Sequence, residues 1–363
     1  MKYKKINIIA KILVVIFSCQ LAYIFISTLI RRGLIETIIP MLQSLFCIFI
    51  TYIVTICIHE LSHAIYGIKK SFSIYEFQIL CFAIKFDKNQ KISLHIAPKF
   101  YVGRCFLLPT EKNTIAQYFR MILVGPLSGV ILLLITTIYM FAVKDYSKLV
   151  LVSYITLTIL VILTLIPLSN ECSGSDAKLI LNGIKKDSDF YMLFNLLVMY
   201  NSDKNGVRPS DISFDLLTEN INIGKVKSHI FLSQYIARCI LYYLDNNISD
   251  TNKKECIKNI IEANQCIMYE KKNFDDENKG IYLIYLITTE NYNKAKEYYN
   301  WNFDFFSKSS NIYDVCFAVY LYKKIILGVD VPSLLESFKN VSKNGALPGR
   351  YYVYEQLLSN LRL

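Results

Sequence analysis

The run Phe46-Cys47-Ile48-Phe49-Ile50-Thr51-Tyr52-Ile53-Val54-Thr55-Ile56-Cys57-Ile58 leads, without a charge, into His59-Glu60-Leu61-Ser62-His63. Its length reads as helix and its composition as membrane. On a helix, His59 and His63 are four residues apart and share one face. Two imidazoles at that spacing can hold one divalent metal, and zinc accepts such ligands. Glu60, beside the first of them, is placed to take a proton from a water at that metal. A carboxylate at mid-membrane costs about 2.5–3.5 kcal/mol on insertion scales, so Glu60 needs a partner or a task. The chain has only 4 His, and two of them fall in this pentapeptide.

Upstream, Met1-Lys2-Tyr3-Lys4-Lys5 precedes an apolar run from about residue 6 to 30. The run is too long for the apolar core of a signal peptide and has no Ala-x-Ala site. It reads as a first transmembrane helix, ending at Arg31-Arg32-Gly33. A second helix is expected over about 35–67, carrying the pentapeptide near its end, with Lys69 and Lys70 directly after it. Residues 71–110 change period. Phe82, Ile84 and Phe86 alternate with polar or small residues, Asp87-Lys88-Asn89-Gln90 is turn-like, and Ile92, Leu94 and Ile96 alternate again, which predicts a β-hairpin ended by Pro98. A strand over 73–79 is expected before it. Such an insert serves either as a small structural sheet or as an edge that holds an extended substrate by strand addition. A third helix over about 117–143 contains Gly125-Pro126-Leu127-Ser128-Gly129, whose small residues permit close helix contact. Pro126 is expected to kink it or free backbone groups. A fourth helix covers about 149–167. Ser175 then reads as an N-cap that puts Asp176 in a first helical turn, where the helix dipole favours an ionised carboxylate.

The chain has 363 residues, 53% hydrophobic, and carries a formal charge of +11. Its average hides an apolar N-terminal half and a more polar C-terminal half. Lys and Arg cluster at the flanks of the apolar runs, nine of them between Lys69 and Arg120. The positive-inside rule therefore predicts a multi-pass cell-membrane protein with both termini cytoplasmic. His63 and Asp176 then both fall near the cytoplasmic ends of their segments. Acidic and basic residues interleave in the C-terminal half, which argues against a nucleic-acid partner. The 10 Cys form no Cys-x-x-Cys pair and read as reduced, buried thiols. Asn201 to Gly206 marks a domain boundary. Residues 1–200 are thus expected to form the membrane domain. Residues 207–363 are expected to form a soluble α-helical domain, with Asn291 to Tyr299 resembling a tetratricopeptide helix, available to a protein partner. The fold class is mostly α: a polytopic helical membrane domain with a small β insert, plus this helical domain.

A His-Glu-x-x-His pentapeptide in a membrane helix, a Gly-Pro segment in a later helix, and a proline followed by an aspartate together resemble the site-2 protease family of intramembrane zinc metalloproteases. The resemblance covers about residues 35–185. It implies His59 and His63 as zinc ligands, Glu60 as catalytic base, and an aspartate from a later segment, here Asp176, as third ligand. His95, Glu171, Glu76 and Asp87 compete for that third place. The family often has Asn-x-x-Pro and Leu-Asp-Gly. Here Thr164 precedes Pro167, the aspartate stands in Ser175-Asp176-Ala177, and Gly129 occupies a place where many members have Asn. The implied activity is hydrolysis of a peptide bond in a membrane-embedded regulator, a remnant signal peptide or a peptide precursor, with a membrane peptide or single-span protein as substrate and the lipid bilayer as surroundings. The alternative is a non-catalytic, zinc-containing membrane scaffold or immunity-type protein. A metal or ion transporter would need more polar groups along the helices.

Overall fold

The computed structural model describes residues 34–86, 92–144, 147–167, 175–218, 222–269, 276–308, 312–343 and 348–360. The expected helix over 6–30 lies outside the described residues. The fold is mostly helical with a small antiparallel sheet. It divides into two compact units, one running to Leu107 and from Asn113 to Lys185, the other comprising Leu108–Lys112 and Lys186–Leu363.

The first unit holds α1 (Leu34–Lys69), β1 (Ser73–Phe86), β2 (Ile92–Leu108), α2 (Ile115–Val143), α3 (Lys148–Leu165) and α4 (Asp176–Ile184). Helices α1, α2 and α3 pack on one another, and α2 also packs on α4. All three are long and apolar enough to cross a membrane. Their outer faces carry large bare side chains, among them Phe46, Phe49, Ile138 and Phe141, with Phe46 65% exposed. Hydroxyls in these helices are satisfied within their own turn: Thr55 donates to the Thr51 carbonyl at 2.7 Å, Ser62 to Ile58 at 2.7 Å and Thr164 to Val161 at 2.8 Å. That keeps polar atoms from needing water.

Helix α2 begins two residues earlier than its apolar pattern suggests. Thr114 and Gln117 form a reciprocal capping box, with Gln117 N–H donating to Thr114 Oγ1 and Thr114 N–H to Gln117 Oε1. The helix continues through Pro126, and the Ser128 hydroxyl donates to the Gly125 carbonyl at 2.7 Å. Gly129 lets α2 approach α3, since a Cβ there would sit 3.3 Å from Val161 Cγ2.

The sheet departs from its sequence pattern in two ways. Pro98 does not end the second strand, which runs on to Leu108. In a two-stranded sheet each strand is an edge, and an edge tolerates a missing N–H donor. The first strand is also continuous from Ser73 to Phe86 instead of two pieces. Within it Leu80 has φ 54°, and the buried positions change phase across it, from Glu76 and Gln78 to Ala83. A one-residue interruption of this kind flips the faces of a strand. Phe82 of β1 consequently points outward, and Ile92, Leu94 and Ile96 of β2 are exposed too, Leu94 being 77% exposed.

The second unit is α-helical: α5 (Ser188–Lys204), α6 (Asp215–Thr218), α7 (His229–Leu244), α8 (Thr251–Asn264), α9 (Asp276–Thr288), α10 (Tyr292–Trp301), α11 (Phe303–Lys308), α12 (Tyr313–Leu321), α13 (Pro332–Lys343) and α14 (Pro348–Asn360). Its main stretch starts at Lys186, earlier than the boundary read at 201–206, because Met192, Leu196 and Met199 of α5 belong to the helical unit's core. Asn201 donates to the Pro109 carbonyl at 3.1 Å, tying the Leu108–Lys112 segment into the same unit. Eight described cysteines are free thiols, and two of them, Cys256 and Cys266, are exposed, contrary to the expectation of burial.

A buried charge cluster locks this unit. The Arg350 guanidinium donates to Asp203 at 2.8 Å, Asp314 at 2.8 Å and Glu277 at 3.0 Å. Arg238 adds a second cation on Asp203, and the Tyr354 hydroxyl donates to Asp314. Burial alone pushes the Asp203 carboxyl up, but Arg238 and Arg350 outweigh it and hold it below the usual carboxylate range. Removing one member of a buried ion cluster strands its partners. Arg350→Met is expected to destabilise the helical unit by about 3–5 kcal/mol. Trp301, the sole tryptophan, lies in this unit, so its fluorescence in urea unfolding of the full chain reads the loss. An unchanged midpoint would contradict it.

Candidate metal centre

Three side chains from two distant parts of the first unit meet at one point. His59 Nε2 lies 2.9 Å from Asp176 Oδ2, His63 Nε2 lies 3.1 Å from the same oxygen, and the two Nε2 atoms are 3.3 Å apart. The helical spacing of α1 brings the imidazoles together, their rings 4.9 Å apart. Asp176 arrives from the first turn of α4. Ser175 occupies the N-cap position as its sequence suggested, but its hydroxyl does not cap the helix. It donates instead to the Ile166 carbonyl at 3.1 Å, fixing the start of α4 to the end of α3.

The arrangement fits a tetrahedral ion. Zinc binds imidazole nitrogen at about 2.0–2.1 Å and carboxylate oxygen at about the same distance, so ligand atoms on one tetrahedron should be about 3.3 Å apart. The observed separations of 2.9, 3.1 and 3.3 Å are close to that edge. The orientation of His63 fits as well. Its Nδ1 lies 2.7 Å from the Met121 carbonyl of α2, which accepts the Nδ1 proton and leaves Nε2 free as a donor to metal. Burial pushes the Asp176 carboxyl up, but its hydrogen bonds with His59 and His63 outweigh this and hold it below the usual carboxylate range. An ionised carboxylate is the form that ligates.

Helix α2 seals the centre. A Cβ on Gly125 would stand 2.2 Å from His63 Nε2 and 2.7 Å from His59 Nε2, so only glycine permits this approach. The sequence marked the Gly-Pro segment for helix packing. The structure shows that what it packs on is the imidazole pair. Glu60 lies against β2, where a Cβ on Gly103 would stand 2.9 Å from its Oε1.

Among the described residues, His59, His63 and Asp176 are the one group of three such side chains close enough to share an ion. Of the other residues weighed for the third place, Glu76 is buried on β1, 4.0 Å from Lys85, and His95 sits on β2 outside the group. Asp87 and Glu171 lie outside the described residues. Met121 was missed from the sequence because its contribution is a backbone carbonyl, which no side-chain pattern signals. Searches against family models, curated proteins and solved structures return no match for this chain.

Gly125→Ala is expected to lower zinc affinity at least about tenfold, the scale of a displaced outer support, while circular dichroism keeps its helical signal. Asp176→Asn should lower it further. Metal analysis of purified protein after dialysis against a graded chelator checks both. Wild-type zinc content in either variant would contradict the arrangement described.

Proposed function

We propose that this chain is an intramembrane zinc metalloprotease of site-2 protease type that hydrolyses a peptide bond at the cytoplasmic edge of the bilayer. The observation that carries this reading is the meeting of His59, His63 and Asp176 beside Glu60, in a unit built on three membrane-length helices. The bare apolar faces of α1, α2 and α3 favour burial in lipid. The Lys and Arg flanking them favour cytoplasmic termini.

His59, His63 and Asp176 would hold the ion, leaving one tetrahedral position for substrate or water. A zinc ion bound there supplies a Lewis acid for the scissile carbonyl and for the attacking water. Glu60 takes one proton from that water as its oxygen bonds to the carbonyl carbon. Glu60 then hands the proton to the amine nitrogen as the C–N bond breaks. Met121 keeps His63 in the tautomer that ligates. A helical substrate has its amides already paired and its carbonyls shielded, so it must unwind before it is cut. The sheet beside Glu60 offers backbone groups to an unwound segment.

An unfolded substrate bypasses the unwinding step, so fluorescein-labelled casein in detergent micelles is a suitable probe. Full-length protein should cleave it in a manner abolished by 1,10-phenanthroline. Glu60→Gln should bind zinc normally and lose at least about 100-fold in kcat, the lower range for a lost general base. Equal cleavage by the variant would contradict the proposed role of Glu60. Stoichiometric zinc with no cleavage by either protein would favour the non-catalytic scaffold.

A further inference from the structure

The metal ligands are clamped from one side by α2. The opposite flank, where Glu60 lies, is formed by β2, and the contact there is as close as backbone geometry allows. A Cβ built on Gly103 would stand 2.9 Å from Glu60 Oε1, 3.0 Å from Glu60 Cγ and 2.5 Å from Ile56 Cγ2. Real Cβ contacts are never that short, so any side chain at 103 must push β2 away from α1 or push Glu60 aside. Two residues on, the Cys105 backbone amide also lies near the Glu60 carboxylate. Residues two apart on a strand share one face. The Gly103 face of β2 therefore lies against α1.

We infer that Gly103 is a positioning residue for the catalytic base: by lacking a side chain it lets the β2 backbone dock on Glu60, so that Glu60 shields the Cys105 amide and its carboxylate keeps one orientation beside the metal ligands. The inference deepens the proteolytic reading and rests on it for the word catalytic; the docking itself does not. Ile56 lies one helical turn before Glu60 on the same face of α1, so two α1 side chains close on the same glycine. A helix in lipid could otherwise let a glutamate swing between rotamers. A strand backbone packed this closely against the side chain removes that freedom. Sequence gave no hint of this, because Gly103 sits in a strand pattern where glycine is usually a weak point.

Two measurements on full-length protein in detergent test it. The first is amide hydrogen exchange at Cys105, which needs neither metal nor substrate. Gly103→Ala and Glu60→Ala should each speed exchange there at least tenfold, and the double variant no more than either alone. Unchanged exchange in Gly103→Ala overturns the inference. The second is turnover of fluorescein-casein, with zinc content measured alongside. Gly103→Ala should keep full zinc and a KM within about twofold while kcat falls at least about tenfold; an ångström of misplacement can cost about 100-fold. In a Glu60→Asp background the carboxylate is drawn back by one methylene, and the same change should cost less than about twofold. Multiplicative losses would overturn the inference, as would zinc loss in Gly103→Ala, or full recovery on adding Ile56→Ala, which would make Ile56 the sole constraint. Failure of the wild type to cleave casein would sink the proteolytic reading alone, with the exchange arm still deciding the role of Gly103.

Discussion

The first unit depends on one electrostatic constraint: a glutamate and an aspartate held among apolar helices must be matched by something. Charge without a partner is costly in such surroundings. The solution is convergence. Both imidazoles of the α1 pentapeptide turn their Nε2 atoms to a single oxygen of Asp176, and Glu60 packs against the β2 backbone at Gly103. Each surrounding element then has a definite duty. Helix α2 contributes a carbonyl to His63 and a bare backbone at Gly125, and Ser175 pins the start of α4 so that Asp176 arrives at the right place.

Close approach is the second theme. The pentapeptide is flanked by two glycines from different elements, Gly125 on α2 and Gly103 on β2, each in contact with one or more of its side chains. Helix association in lipid lacks a hydrophobic driving force and relies on packing and on polar contacts, which small residues allow. Here the same device that brings backbones together also fixes the orientation of ionisable groups. The helical unit solves its own problem of buried charge differently, with Arg350 bridging Asp203, Asp314 and Glu277 and Arg238 adding a second cation on Asp203.

Much of this was legible in the sequence. The apolar runs gave α1, α2 and α3 to within a few residues, because length and hydropathy are robust signals. The pairing of His59 and His63 followed from helical spacing, whereas Asp176 was singled out among several candidates by the family resemblance together with its place at a helix start. What escaped was whatever depends on backbone contact. The bulge at Leu80 shifts the faces of β1 without altering the alternation of letters. Pro98 looked like a stop because it lacks an N–H donor, yet both strands of the sheet are edges, where that loss is tolerated. The carbonyl of Met121 and the backbone at Gly103 belong to residues that no side-chain pattern marks for either role.

The central claim is a single ion held by two imidazoles and one carboxylate. X-ray absorption at the zinc edge of the purified full-length protein tests it without recourse to activity. The account predicts one zinc per chain, a first shell of nitrogen and oxygen alone at about 2.0–2.1 Å, and outer-shell scattering from two imidazoles that falls to one in His63→Ala. A first shell containing sulfur, or a purified protein with no stoichiometric metal, would contradict it.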